Sequence, residues 1–295
     1  MPIAHLLLTL LVVVVWGINF LFVKLALNEM TPFWLCVVRF LLASLPAMLW
    51  IKPPQMPLRV VALYGLVMFT MQFGFVFLGM HVGMPPGMTS IVMQVQVFFS
   101  MFFAAFYLKE IPYPWQIVGA FIAFLGIGLI AMHFDSNATL SGFLCILAAA
   151  ASWGAGNLIT KKYHHVNMMG LVIWGSFFAS IPMLVLALLF EGPQQLIQNY
   201  HQTDTLGIIS VLYITYGSTW LGYGTWNWLI SRYPVSTMVP FTLLIPIVGV
   251  FSSAFWLGEP LQSWKMIAGA LVIGGLSINI MGARFFTART ATEGA

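Results

Sequence analysis

Ten runs of about twenty mostly apolar residues follow one another along this chain, each as long as a helix needs to be to cross a bilayer. They cover approximately 5–27, 33–51, 60–81, 86–107, 115–134, 141–161, 169–190, 207–230, 235–256 and 264–283. Short connections marked by Pro, Gly and charge separate them. Only 6% of the 295 residues carry a charge, where a soluble domain spends roughly a quarter. That excludes a soluble enzyme, a nucleic-acid binder and a disordered chain. The expected fold class is an all-α polytopic membrane protein, residues 1–295 forming a single membrane domain with the lipid bilayer as its partner. The longest connection, Glu191 to Asp204, has room for a brief surface helix but not for a soluble domain. The start, MPIAH, lacks the positive segment of a cleaved signal, so the first run is read as an uncleaved span. Cys36 and Cys145 sit singly in apolar runs and read as small packing residues, not as a disulfide or metal site.

Lys and Arg set the orientation. With ten spans both termini share one side. That side holds Lys52, Arg59, Lys109, Lys161, Lys162, Arg232, Arg284 and Arg289, and the other holds Lys24 and Lys265. Both termini are therefore expected in the cytoplasm. Glu29, Asp135, Glu191, Asp204 and Glu259 fall on the opposite side.

The chain also matches itself. Under a constant shift of 149, from Val60 to about Ile130, Tyr64 meets Tyr213, Thr70 meets Thr219, Pro85 meets Pro234, Glu110 meets Glu259, Trp115 meets Trp264 and Gly126 meets Gly275. Chance apolar likeness would not align a Glu, a Trp and a Pro without a gap. Each copy, 5–134 and 141–283, then holds five spans. Five is odd, so the second copy enters the bilayer from the opposite side. Inverted repeats of this kind are the architecture of many secondary transporters, with the binding site between the halves near the midplane.

Polar groups within the spans carry the rest. Arg39 is the one charge inside a span, and no acidic residue lies mid-span. It either sits in a wet cavity and attracts a substrate carboxylate, or snorkels, or pairs with Glu29. Gln94 and Gln96 in the fourth span, with Gln72 in the third, must find partners in the membrane. They bond between helices or bind a small zwitterion. Their counterparts under the shift are Leu243 and Ile245 for the fourth span, so the polar site is asymmetric. In the eighth span Tyr213, Tyr216, Trp220, Tyr223 and Asn227 follow helical spacing as an aromatic stripe with polar tips. Asn19 beside Trp16, and Asn157 beside Trp153, complete a common cavity. Pro46, Pro182, Pro240 and Pro246 mark kinks. Gly119, Ala123 and Gly126 in the fifth span, with Ala270 and Gly274 in the tenth, form close-packing faces, within one chain or as a homodimer seam. Neither HExxH, Walker A, GxSxG nor a Cys/His cluster is present. No cofactor and no metal are expected.

WGINF followed by Lys24, the RF pair at Arg39, PPGMTSIVMQVQVFF leading to Glu110, WGAGNLITKK and LGYGTWNWLISRY with VPFTLLIPIVG resemble the EamA family of the drug/metabolite transporter superfamily. The resemblance covers nearly the whole chain, and the motifs look closest to the exporters of cysteine and O-acetylserine. It implies a bacterial inner-membrane exporter of ten helices in two inverted halves. It further implies a central cavity from spans one to four and six to nine, and amino acids or their derivatives as small-molecule substrates. The family's motif residues correspond to Trp16, Asn19, Lys24, Arg39, Gln94, Gln96, Glu110, Trp153, Asn157, Tyr223 and Glu259. Pro86 and Lys109 depart from the family pattern, outside the implied cavity. The substrate site is thus expected at Asn19, Arg39, Gln72, Gln94, Gln96, Asn157, Trp220, Tyr223 and Asn227. The alternatives are an exporter of another metabolite, a membrane scaffold, or an enzyme acting on lipid. The last lacks an evident acid–base pair.

Overall fold

A computed structural model describes residues 2–108, 114–132, 138–163, 165–232, 239–258 and 261–292. Glu110, Asp135 and Glu259 lie outside the described residues, as does the side chain of Asn227. Among the described residues the secondary structure is helical throughout. α1 is Ile3–Leu27 and α2 Pro32–Met48. α3 runs over Leu58–His81, and α4 combines Pro86–Val92, Met93–Val95 and Gln96–Leu108. α5 is Pro114–Ala131, α6 Leu140–Lys162 and α7 Met168–Glu191. α8 combines Thr205–Leu212, Tyr213–Tyr223 and Gly224–Arg232. α9 combines Val239–Leu244 and Ile245–Leu257, and α10 is Ser263–Thr292. Four helices, Ile3–Leu27, Leu58–His81, Leu140–Thr160 and Met168–Glu191, are long and apolar enough to cross a membrane on their own, and shorter apolar helices include Pro32–Met48 and Ile245–Leu257. α10 continues past the apolar run that ends near 283. A polar tail needs no apolarity to stay helical where its backbone bonds are made internally, and neither Pro nor Gly interrupts it after Gly282.

Proline at the first turn starts several helices, because its missing N–H is one a helix start leaves unpaired; Pro32, Pro86 and Pro114 do this, and Pro246 sits where α9 passes from its 3₁₀ turn into α-helix. The helices are not uniform inside. π-helical turns occupy Gly65–Met71 in α3, Ala187–Glu191 in α7 and Tyr213–Tyr223 in α8. 3₁₀ turns occupy Met93–Val95 in α4 and Val239–Leu244 in α9. The shift of 149 carries Gly65–Met71 into the α8 π segment and Met93–Val95 into the α9 3₁₀ segment. Both kinds of irregular turn therefore recur at matched places.

The neighbour pairs also survive exchange of the first five helices with the second five. α1 packs on α9 as α6 does on α4, α3 on α6 as α8 on α1, and α3 on α7 as α8 on α2. α2–α7, α4–α9 and α5–α10 complete the set. α5 and α10 use their small faces on each other within one chain. A Cβ on Gly126 would come within 2.8 Å of the Ala268 carbonyl, and one on Gly275 would overlap the Gly119 carbonyl and meet the Ala123 nitrogen at 2.7 Å. Gly274, expected on this face from its spacing, has no atom near an added Cβ. The outer rim is apolar and exposed, with Phe121 and Phe124 on α5 and Phe255 on α9 turned outward.

One end of the bundle is tied by carboxylates. Glu191, closing α7, accepts from Thr31 Oγ1 at 2.7 Å and from the Phe33 and Trp34 amides at 2.9 and 3.0 Å. It thereby caps α2 from a distance in sequence, where the exposed amides and helix dipole favour an anion. In the short helix Pro193–Gln202, Asn199 donates to Thr31 Oγ1. Asp204 caps α8 through Leu206 and Gly207 amides, and Glu29 accepts from the Asp204 amide at 3.0 Å. Burial and the facing Asp204 push the Glu29 carboxyl above its usual range, while the Gly207 and Leu206 amides hold Asp204 below its own. The two oppose each other in sign. Asp204 contributes stability that is present above its unfolded value and lost as pH falls. Glu29 contributes stability that is present below its unfolded value and lost as pH rises through its folded one. Glu29→Gln is therefore expected to remove the decline on the alkaline side of mildly acid pH and leave the acid side. Thermal melts of the purified protein across pH check this, and an unchanged alkaline limb would count against it.

Candidate functional site

Where α1, α3, α4, α6, α8 and α9 meet, they line a partly open cavity of about 40 Å³, room for ordered water or one small polar group. Its aromatic walls are Trp16, Phe20, Phe73, Trp153 and Tyr223, and its amides are Asn19, Gln72 and Gln94. Met93, Gln94, Ser218 and Tyr223 come from the irregular turns of α4 and α8. Such turns break the regular backbone ladder and re-aim side chains, and they concentrate at functional places. Trp16 is fixed by its Nε1–H, which donates to the Ser218 carbonyl at 3.1 Å. Its ring stands edge-on to Trp153 at 6.3 Å and tilted to Tyr223 at 5.1 Å. Gly222 has no Cβ because Trp16 Nε1 occupies that place.

The three amides leave oxygens over. Asn19, Gln72 and Gln94 are 7%, 3% and 1% exposed, and Asn19 Oδ1, Gln72 Oε1 and Gln94 Oε1 have no partner among the described residues. Gln94 Nε2 donates weakly to the Ser90 carbonyl at 3.5 Å. Gln72 and Tyr223 both line the cavity. Buried polar atoms are nearly always satisfied, and here three unpartnered oxygens belong to residues that line one cavity.

Of the residues expected from sequence, Asn19, Gln72, Gln94 and Tyr223 come together here. Gln96 and Asn157 do not line the cavity. Asn157 Nδ2 donates to Gln96 Oε1 at 3.0 Å and to Ser100 Oγ at 3.2 Å, fastening α6 to α4. Asn157→Leu is expected to leave Gln96 buried without its donor and to cost about 1–3 kcal/mol; denaturation of the purified protein measures it. Trp220 donates to the Ala43 carbonyl on α2 at 2.8 Å, and Tyr213 donates to the Val15 carbonyl on α1 at 2.8 Å. The aromatic stripe of α8 is thus divided among three neighbours, because the π segment Tyr213–Tyr223 turns successive residues away from α-helical register.

Arg39 is fully buried. Its Nε and Nη2 donate to Thr219 Oγ1 at 3.3 and 3.0 Å, and Thr219 in turn donates to the Ile214 carbonyl at 3.0 Å. The guanidinium lies 3.9 Å from the centroid of Phe73, with Phe40 and Phe77 each at 5.7 Å. These cation–π contacts stand where a carboxylate would. Arg39 neither snorkels nor pairs with Glu29, and Phe73, which lies against it, also lines the cavity. Phe20, Phe73, Val76, Met93 and Ile245 line the site without a signal in the sequence, since an apolar lining residue looks like any other in an apolar run.

The EamA-like transporter family model matches residues 3–132 and again 140–281. The chain belongs to the EamA-like transporter family. The two matches are two copies of the family's repeat, one on each side of the connection before α6. A relative from Salmonella typhimurium, described as a probable amino-acid metabolite efflux pump, is 38% identical over 94% of this chain and 95% of its own. One of the same description from Escherichia coli is 36% identical over 94% of this chain and 95% of its own. A solved crystal structure overlays with a TM-score of 0.69 at 16% identity, covering 97% of this chain and 99% of that one, a likeness of fold. The family is one of transporters, and the chain is a multi-pass membrane protein of that class.

Proposed function

We propose that this protein is a secondary active transporter of the bacterial inner membrane that exports a small amino acid or derivative, of the cysteine or O-acetylserine type, by alternating access. In this reading ten helices cross the bilayer as two inverted halves, 5–134 and 141–283, with both termini cytoplasmic. The observation that carries it is a cavity lined from both halves, by Asn19, Gln72 and Gln94 on one side and Trp153, Ser218 and Tyr223 on the other. A site shared between halves changes access when they rock against each other. The neighbour pairs that survive exchange of α1–α5 with α6–α10 support the inversion. The names of the Salmonella and Escherichia relatives support the cargo class. The cavity is narrow, so loading a whole amino acid requires it to open.

Overexpression in a bacterial host with measurement of amino acids in the medium tests the reading. Cysteine or O-acetylserine is expected to rise outside the cells. A medium unchanged for every amino acid, with the protein present in the membrane, would sink it. A rise in an unrelated metabolite would move the cargo within the same superfamily.

A further inference from the structure

We infer that the short helix Pro193–Gln202 lies on the membrane surface, with Leu196, Ile197 and Tyr200 seated in the headgroup–acyl boundary of the bilayer beside the end of α7. The partner of this face is lipid, and the inference stands apart from what the chain transports. Leu196, Ile197 and Tyr200 follow Pro193 at i+3, i+4 and i+7, the spacing that gathers side chains on one face of a helix. Ile197 and Tyr200 are 61% and 79% exposed, and Leu196 is exposed beside them. Gln194, Gln198, His201 and Gln202 fall on a second face, also exposed, which suits water. The third edge is fixed to protein. Asn199 is buried, donates to Thr31 Oγ1 at 3.2 Å and accepts from Gln195 Nε2 at 3.0 Å. An apolar stripe next to a polar one is the pattern of helices that lie in a membrane interface.

What covers the apolar stripe follows from how the helix is held. α7 is long and apolar enough to cross a membrane and ends at Glu191. Its last turn exposes Leu188, Leu189 and Phe190, as the end of a helix in lipid does. Gly192, at φ 80°, then turns the chain out of α7, and the short helix starts at the next residue. Trp34 Nε1 holds that turn by donating to the Gly192 carbonyl at 3.0 Å. Near its other end the helix is bonded through Asn199 to Thr31, the residue before α2. Tied at both ends to places where apolar helices begin or end, it stays at the level where they leave the bilayer. Its exposed stripe follows directly in the chain on Leu189 and Phe190. Tyr200 has the apolar ring and polar tip that suit this level. Neither Lys, Arg, Asp nor Glu occurs between Pro193 and Gln202, so the seat rests on apolar burial and not on anionic headgroups.

The test uses nitroxide labels on the full chain in lipid nanodiscs, at Ile197→Cys, Tyr200→Cys, Gln194→Cys and Gln198→Cys in turn, with Cys36 and Cys145 changed to Ala. Labels at Ile197 and Tyr200 are expected to collide more with oxygen, which concentrates in lipid, than with a water-soluble nickel complex, and to report a depth of about 5–10 Å. Labels at Gln194 and Gln198 are expected to show the reverse preference. The same pattern is expected in phosphatidylcholine alone and in phosphatidylcholine mixed with phosphatidylglycerol. Nickel reaching Ile197 and Tyr200 as freely as Gln198 would overturn the inference by placing the stripe in water. Exclusion of both reagents there would overturn it in favour of a protein cover, such as a second copy of the chain, and a pattern that needs phosphatidylglycerol would overturn the apolar seat. The unmodified chain supplies an independent measurement should the labelled variants not fold: a lipid carrying a diazirine near its glycerol is expected to photolabel the peptide holding Leu196, Ile197 and Tyr200. Adducts on the spans with none on that peptide would refute the lipid contact.

Discussion

Arg39→Met is expected to melt at the same temperature as the parent protein or higher, while its transport falls about tenfold or more, the loss expected when one charge-assisted contact of about 1.4 kcal/mol is removed from the working cycle. The two halves of this expectation have separate physical grounds. A guanidinium held away from water costs several kcal/mol to desolvate. Arg39 recovers part of that through two bonds to Thr219 and the face of Phe73, but its Nη1 has no partner among the described residues. Methionine fills much of the same volume, and Thr219 keeps its bond to the Ile214 carbonyl, so the change orphans no further polar atom. A charge retained at a net cost inside a membrane is expected to serve the working cycle. Its contacts tie α2 to the π segment of α8, and Phe73, which lies against the guanidinium, also lines the cavity. If Arg39 positions α8, the loss appears in maximal rate; if it meets a substrate carboxylate as the cavity opens, the loss appears in apparent affinity. Arg39→Lys keeps the charge but not the fork that reaches Thr219 twice, and is expected to share the transport defect. A variant that melts lower and transports normally would make Arg39 a structural residue.

Gly275→Ala should behave in the opposite way, losing about 1–3 kcal/mol of stability from overpacking with ligand discrimination unchanged. The added methyl would overlap the Gly119 carbonyl, which is backbone and has no rotamer to move into. α5 and α10 would have to separate, and in a bilayer their association rests on that close approach because lipid offers no hydrophobic driving force. Gly274→Ala, one residue away, meets nothing within 4 Å and serves as the control. Melting of both variants in the same detergent decides the matter: equal temperatures would mean that the α5–α10 contact carries little of the stability.

The helices were legible because a bilayer demands long apolar runs, and the repeat was legible because Glu, Trp and Pro recur in register. Asn19, Gln72, Gln94 and Tyr223, which line the central cavity, were legible for a related reason: a polar group in an apolar run is conspicuous. That same signal cannot separate a binding amide from a fastening one, which is why Gln96 and Asn157 look alike in sequence yet bond each other. Apolar lining residues such as Phe73 and Met93 carry no signal at all. The turns of changed pitch were hidden as well. Residue spacing assumes one helical period, and Tyr213, Trp220 and Tyr223 reach α1, α2 and the cavity because the period changes beneath them.

Those turns also say something about ancestry. A π turn places more residues between the same two flanking points than an α turn does, so making one in only one copy would leave the two copies out of step by a residue. The register between them nevertheless runs without a gap through Gly65–Met71 and its counterpart in Tyr213–Tyr223. The widened turn therefore holds the same place in both copies, while the chemistry of the neighbouring spans differs between them: Gln94 and Gln96 in one copy, Leu243 and Ile245 in the other.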